Sequence, residues 1–557
     1  MERNLTIAII LTIIFLFFYQ QVILKKYTPQ KPVQKVERID LKKSEKAKEI
    51  KTKEKEVTAE NNQVLKKEEA KIEVNNEKVI RAQKEIKEIV ETDLFKAVFS
   101  NRGASLISFK LKKHLGSDKK PLELVSDLSK KQDLFPFMVY GEGAKIFNST
   151  LYKVERREEG SNIVISFEYN DGNGDYSKKE FIIPKSGRYL MNLKTEFEIK
   201  GVKTEPYLIW GPGLGEIQQE DKNKAAFEFD QKIGTFDGAK VHKKNVAKIE
   251  NNERFVSRKW IDLDIKYFAV IMFSKGIDVD AKVFIVNTDN KIKKLRKNAV
   301  LAVKNISKVY IGPKEYKRLK ALGYKIENII DYGFFGFIAK ILLYLLLYAY
   351  KIFPNYGVAI ILVTLFLKLA LLPLTYSSTI SMAKMQELQP QIKKIQAKYK
   401  KFPKKDLEAR KRMNQEIMDL YKEKKVNPAG GCLPLFIQIP FLWGFYRLLW
   451  VGIEIRHQPF ILWITDLSQK DPYYILPILM GLSQIIIQKM TPSSGSDKSQ
   501  KFMSYGMAFF FTFLFANFPS GLVLYWLTNN VLQAAQQFFV NKSLKKKKLA
   551  IATKGKK

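Results

Sequence analysis

The feature that most constrains this chain is a crowd of long apolar runs in its second half. They cover residues 338–353, 357–374, 432–451, 473–487, 502–518 and 522–540, and only the turn Pro519-Ser520-Gly521 separates the last two. Several approach the roughly 20 residues an α-helix needs to cross hydrocarbon, where each backbone polar group must be satisfied within its own segment. Such runs predict a multi-pass α-helical membrane protein. Another apolar run, residues 5–19, follows Glu2-Arg3-Asn4 and is extended by Val22-Ile23-Leu24, with no small-residue cleavage site after it. Residues 1–24 therefore read as an uncleaved anchor.

The run at 338–353 is the exception. Lys340, Tyr344, Tyr348 and Lys351 fall at i, i+4, i+8 and i+11 and form one polar-aromatic stripe on a leucine-rich helix. That pattern suits a helix lying in the membrane interface, and 331–356 is assigned so. Charge agrees. Residues 376–425 hold fourteen basic residues against six acids, and the tail 542–557 has eight lysines and no acid. The positive-inside rule places both in the cytoplasm. The expectation is six transmembrane helices, five of them forming a core over 357–541, with both termini cytoplasmic.

Between the anchor and this core the chain changes character twice. Residues 25–90 are rich in Lys and Glu, too polar to bury a core, and read as a charged flexible linker. From Leu94 to about Gly312 the period becomes two: Met191, Leu193, Thr195, Phe197 and Ile199 alternate with Asn192, Lys194, Glu196, Glu198 and Lys200. Alternation punctuated by turns such as Asp171-Gly172-Asn173-Gly174 means half-buried antiparallel strands, and 91–330 is assigned as an all-β sandwich domain outside the membrane. Gly211-Pro212-Gly213-Leu214-Gly215 is a turn-rich loop and not a phosphate cradle, because no helix signal or Lys-Ser/Thr follows.

One cysteine, Cys432, and three scattered histidines exclude an internal disulfide and argue against a zinc or haem centre. No catalytic constellation is visible, and no cofactor is implied. Lys+Arg 96 against Asp+Glu 57 gives a net charge of +39, which points to anionic lipid, nucleic acid or the ribosome as partners, or to solvated linkers and tails.

Lys368 sits near the middle of the run 357–374, with Leu367 and Leu369 beside it. A lysine at that depth costs roughly 2.5–3.5 kcal/mol on insertion scales and marks a functional site by default, with snorkelling of the amine to the cytoplasmic boundary, more than a turn away, as the alternative. None of the five C-terminal spans contains Asp or Glu, so the lysine reads as unpartnered. Its company is neutral: Thr364 one turn away, Gln438, Ser483, Gln484 and Gln488, then Tyr525, Trp526, Asn529, Asn530 and Gln533. Each alone is a candidate helix–helix hydrogen bond. Together with the lysine they suggest a hydrophilic, mildly positive groove that would receive a polar or acidic peptide segment. Residues 376–425 read as a helical hairpin broken near Phe402-Pro403, with Leu388, Ile392, Ile395 and Tyr399 facing Met413, Ile417, Leu420 and Tyr421.

Five motifs in order now carry a resemblance. They are Val309-Tyr310-Ile311-Gly312-Pro313-Lys314, Asp331-Tyr332-Gly333, Asn427-Pro428-Ala429-Gly430-Gly431-Cys432-Leu433-Pro434, Asp471-Pro472-Tyr473-Tyr474-Ile475-Leu476-Pro477, and Phe518-Pro519-Ser520-Gly521-Leu522-Val523-Leu524-Tyr525. With the membrane layout, they resemble the YidC membrane-protein insertases of Gram-negative bacteria. The resemblance implies a periplasmic β-sandwich of mutarotase type, an inner-membrane location, and an insertase and chaperone that works alone or with the Sec translocon. Nascent membrane proteins are the implied substrates, and the basic hairpin and tail are candidate ribosome contacts. The family's groove charge is usually arginine, and by position it falls on Lys368. Thr364, Tyr525 and Trp526 also fall on family substrate-contact positions, with Gln438 and Gln484 as looser matches. The resemblance thus implies these six as the substrate-binding residues of the groove. Two rivals remain at this point: a small-solute or ion transporter, and an enzyme housed in the β domain.

Overall fold

The computed structural model describes residues 79–116, 119–215, 231–289, 295–403, 406–424, 426, 433–490 and 498–554. The anchor, most of the charged linker and the motif segment 427–432 lie outside the described residues. The chain divides into two compact units, Met1–Gly312 and Pro313–Lys557. Residues 313–330, assigned from sequence to the β domain, thus group with the helices.

In the first unit, a four-stranded sheet runs Lys87–Glu91, Phe95–Ser100, Ser105–Leu115, Pro121–Glu123. A 13-stranded sheet follows a main path of Val241–Asn245, Lys232–Phe236, Glu253–Asp264, Phe268–Asp289, Ile306–Pro313, Leu190–Ile199, Tyr176–Pro184, Asn162–Asn170 and Lys153–Glu159. An aromatic core joins the sheets. Phe99 of the small sheet lies 4.7 Å from Phe181 of the large one, and Phe137 bridges Phe181 and Trp210. The period-two reading holds on Leu190–Ile199, where Met191, Leu193 and Phe197 are buried. It fails on Asn162–Asn170, where Val164 and Ser166 are buried as well as Ile163, Ile165 and Phe167. That strand lies between two neighbours and both its faces are covered, so alternation loses its meaning there. The turn after it needs glycine: Gly174 has φ +99° and a Cβ would meet the Gly201 nitrogen at 2.7 Å.

One inward position carries a lysine. Lys179 is fully buried, and its Nζ donates to the carbonyls of Gly103 at 2.6 Å and Phe137 at 2.8 Å. The two carbonyls belong to loops on different parts of the sandwich, so the amine ties them together.

In the second unit the helices are α1 (Tyr316–Leu322), α2 (Gly336–Ile352), α3 (Tyr356–Ala370), α4 (Leu372–Glu387), α5 (Gln389–Tyr399), α6 (Leu407–Glu423), α7 (Leu433–Val451), α8 (Ile475–Met490), α9 (Lys498–Phe515) and α10 (Ser520–Lys554). The long α10 packs against both α3 and α8, while α2 packs against α7 and α3. Helix α2 buries Ala339, Leu342, Leu343, Leu346 and Ala349 and exposes Phe337, Ile341 and Tyr348. Its approach to α7 is close, because a Cβ on Gly444 would lie 3.1 Å from Ile338. The hairpin packs as its apolar spacing predicts, with Leu388, Ile392, Ile417, Tyr421 and Val426 in one core and Ile395, Met413 and Leu420 around it. Its first arm is not one helix. Pro390 in the first turn of α5 cannot donate, and the chain breaks between α4 and α5 at Leu388.

Among the described residues no helix is long and apolar enough to cross a membrane. The reasons are local. Helix α3 stops after 15 residues, and α10 mixes its apolar positions with Asn, Gln and a run of lysines.

The buried Lys179 gives the first prediction. Burial pushes its ammonium down from 10.5 to about 7. Between those values the unfolded chain binds the extra proton, so this residue makes stability rise with pH, by at most about 1.4 kcal/mol per pH unit. Lys179→Met is expected to flatten the denaturation midpoint of the β unit between pH 7 and pH 9.5, read by tryptophan fluorescence. An unchanged slope would contradict the assignment.

Candidate functional site

The site is built where α3, α7 and α10 meet. Helix α3 starts at a defined point. Asn355 caps it, its Oδ1 accepting from Val358 N at 3.1 Å while its Nδ2 donates to Phe460 O at 2.8 Å. It ends at Leu371, ahead of Pro373 in the first turn of α4. Lys368 therefore stands in the last turn of α3, not near the middle of a continuous span as the hydropathy suggests. That place favours a cation, since the last carbonyls of a helix carry its negative end.

Lys368 is not unpartnered: its Nζ donates to Gln533 Oε1 at 2.6 Å and to Asn529 Oδ1 at 3.2 Å, both on α10. The acceptors are neutral amides, so no carboxylate neutralises the charge within this pair of bonds. Two turns on, Thr375 of α4 and Gln536 of α10 repeat the arrangement at 3.1 Å. Both spacings are visible in the sequence, Lys368 to Thr375 and Asn529 to Gln536, each seven residues.

The other sequence-predicted residues fall into place unequally. Thr364 is buried one turn before Lys368, and its hydroxyl donates to Ile360 O of its own helix at 2.6 Å. Gln438 of α7 hydrogen-bonds the Tyr525 hydroxyl, and the Tyr525 ring stacks on Phe445 at 4.5 Å. Trp526 is half-buried and packs on Phe511 and Phe515 of α9. Gln484 is half-buried on α8. Beside it, Ser483 accepts from Asn530 Nδ2 at 3.0 Å. Structure thus joins Lys368 to Asn529 and Gln533, and Gln438 to Tyr525, while Gln484 makes no hydrogen bond among the described residues.

At 100° per residue, Tyr525, Trp526, Asn529, Asn530, Gln533, Gln536 and Gln537 fall within an arc of roughly 140° on α10. Their partners lie on α3, α4, α7, α8 and α10 itself. Helix α10 is the hub of the polar interior.

The sequence reading passed over a second cation. Arg447 lies inside the apolar run 432–451, and it bonds the Asp331 carbonyl and faces the Asp331 carboxylate at 3.4 Å. It is thereby tied to the Asp331-Tyr332-Gly333 motif. Glu454, beyond α7, accepts from Tyr316 N at 3.3 Å, and burial pushes its carboxyl up to about 7.

The motifs around 471 and 519 meet at one end of the bundle. Asp471 is fully buried and accepts from Tyr473 N, Leu476 N and Trp463 Nε1, which caps the start of α8. Gln469 O accepts from Ser520 N at 2.7 Å and from Ser520 Oγ at 2.8 Å, which fixes the start of α10.

Two family models match the chain: "YidC periplasmic domain" over residues 89–345 and "60Kd inner membrane protein" over 348–548. Curated relatives extend over most of its length. The membrane protein insertase YidC of Geotalea daltonii is 38% identical over 479 residues, covering 82% of this chain and 86% of its own. The chain belongs to the YidC family of membrane protein insertases. The Citrifermentans bemidjiense member is 36% identical over 82% of this chain and 85% of its own, and that of Geobacter sp. is 52% identical over 236 residues, 42% of each. Among solved structures, an active YidC insertase with its first transmembrane domain resolved is 20% identical, covers 83% of this chain and 94% of its own, and has a TM-score of 0.35. A putative aldose 1-epimerase from Escherichia coli covers 41% and 99% at 9% identity with a TM-score of 0.24. At such scores neither overlap bears weight here. YidC is a family of insertases of the bacterial inner membrane, not a family of enzymes, and these relatives lend no support to a solute transporter.

Placement of α3 can be tested directly. A Cβ on Gly357 would overlap the Phe460 ring, whereas one on Gly506 would meet open space. Gly357→Ala is expected to lower the stability of the detergent-solubilised protein by about 1–3 kcal/mol through overpacking. Gly506→Ala should leave it unchanged or raise it by up to about 1 kcal/mol. Equal melting points for the two variants would contradict the packing described.

Proposed function

We propose that the polar interior around Lys368 receives the hydrophilic segment of a membrane-protein substrate on its way across the bilayer. The observation that carries this reading is the lysine's company: a cation whose hydrogen bonds among the described residues go to amide oxygens on the hub helix. A charge already paired with a protein carboxylate has little left to offer a substrate, whereas one on neutral acceptors attracts an incoming Asp or Glu. Half-buried Gln438, Gln484 and Trp526 would line the same path, with Thr364 and Tyr525 behind it. Membrane proteins are the substrates of the family, and nascent chains arriving alone or from the Sec translocon are the form we assign here.

In this reading the anchor 1–24 and the five apolar runs of the core cross the inner membrane, both termini are cytoplasmic, and the β domain is periplasmic. The short length of α3 fits a locally thinned or water-penetrated bilayer beside the site. The hairpin core leaves Arg410, Lys411 and Lys424 on its exterior, and with the lysine tail this supports docking to ribosomal RNA or anionic lipid.

The test is insertion of a single-span reporter with an acidic translocated segment into proteoliposomes. Lys368→Arg is expected to stay within about twofold, since the charge persists although the guanidinium differs in shape. Lys368→Glu should reduce insertion by roughly 100-fold or more, the loss of an attraction and the gain of a repulsion. Normal insertion of that reporter by Lys368→Ala would remove the electrostatic basis of the proposal.

A further inference from the structure

We infer that Asn529 and Gln533 are positioning residues for Lys368, holding its ammonium with acceptors that a substrate carboxylate displaces. This rests on the reading above. The geometry behind it is the way α10 is fixed. Gln536 is bonded to Thr375 at 3.1 Å, Asn530 to Ser483 at 3.0 Å, and Asn541 to Met490 O at 3.1 Å. These bonds reach α4 on one side of α10 and α8 on the other, so they fix its rotation and its register. Of the polar groups on α10, Gln536 and Asn530 are buried, whereas Asn529 and Gln533 are half-buried and open in part to solvent, as is Lys368 itself.

The choice of side chain matters as much as its place. An amide has an acceptor oxygen and a donor nitrogen on one rotatable group. With no substrate, the two oxygens accept from Lys368 and keep the ammonium in place at the end of α3. When a carboxylate reaches the lysine, each amide turns over about its last side-chain bond and donates to it instead. A carboxylate at either position lacks the donor and forms a permanent ion pair with Lys368. An alkyl chain offers neither function.

The experiment compares two reporters in proteoliposomes, identical except that one carries Asp and the other Asn in the translocated segment. Gln533→Glu is expected to reduce insertion of the Asp reporter about tenfold relative to the Asn reporter, and Asn529→Asp likewise. Gln533→Met keeps the length of the side chain and removes both functions; a selective loss of about threefold is expected. A purely structural role would move both reporters together, so an equal loss for the two, or none, overturns the inference. Lys368→Ala is measured alongside. If it inserts the Asp reporter normally, the groove reading itself fails; if it impairs the Asp reporter while Gln533→Glu does not, only the positioning role fails.

Discussion

The interaction on which the helical unit turns is a lysine ammonium held by two amide oxygens at 2.6 and 3.2 Å. Removing an ammonium from water is costly, and an interior usually offsets that cost with a carboxylate. Here neutral acceptors and the end of a helix take its place. This arrangement requires that α3 terminate near Lys368, that α10 present amides at that level, and that some water reach the group. Pro373 supplies the first, the Asn529 and Gln533 spacing the second, and the partial exposure of all three side chains agrees with the third.

The rest of the bundle serves to hold α10 and α3 in register. Asp471 and Gln469 fix the starts of α8 and α10 through backbone donors, and Asn355 fixes the start of α3 against Phe460 O. Close approaches at Gly357 and Gly481, where a Cβ would meet Phe460 and Thr512, leave little freedom to slide. The β unit has its own aromatic core and its own buried lysine, Lys179, which is satisfied by backbone carbonyls in place of side-chain amides. Both lysines avoid carboxylates, but Lys179 is sealed and Lys368 is not.

Much of this was legible in residue patterns. Period two located the strands through Met191, Leu193 and Phe197, and apolar spacing located both faces of the hairpin around Ile392 and Ile417. The polar company of Lys368 was visible as types but not as contacts. Hydropathy places Lys368 by the length of an apolar run, and it cannot register that Pro373 ends the helix early. It also passes over Arg447, because one cation in twenty apolar residues barely changes an average, while its partner Asp331 lies more than a hundred residues away. Likewise Val164 and Ser166 are buried although alternation places them on the open face, and the pattern along one strand does not encode what covers that face.

The central claim is that a substrate's polar segment passes along the accessible side chains near Lys368. Site-specific crosslinking to a stalled nascent membrane protein tests it most directly, with photoreactive residues at Gln438 and Trp526 and a control at Phe337 on the exposed face of α2. The account predicts adducts from Gln438 and Trp526 to the hydrophilic segment of the nascent chain, at clearly higher yield than from Phe337. Equal yields at all three positions, or adducts from Phe337 alone, would contradict it.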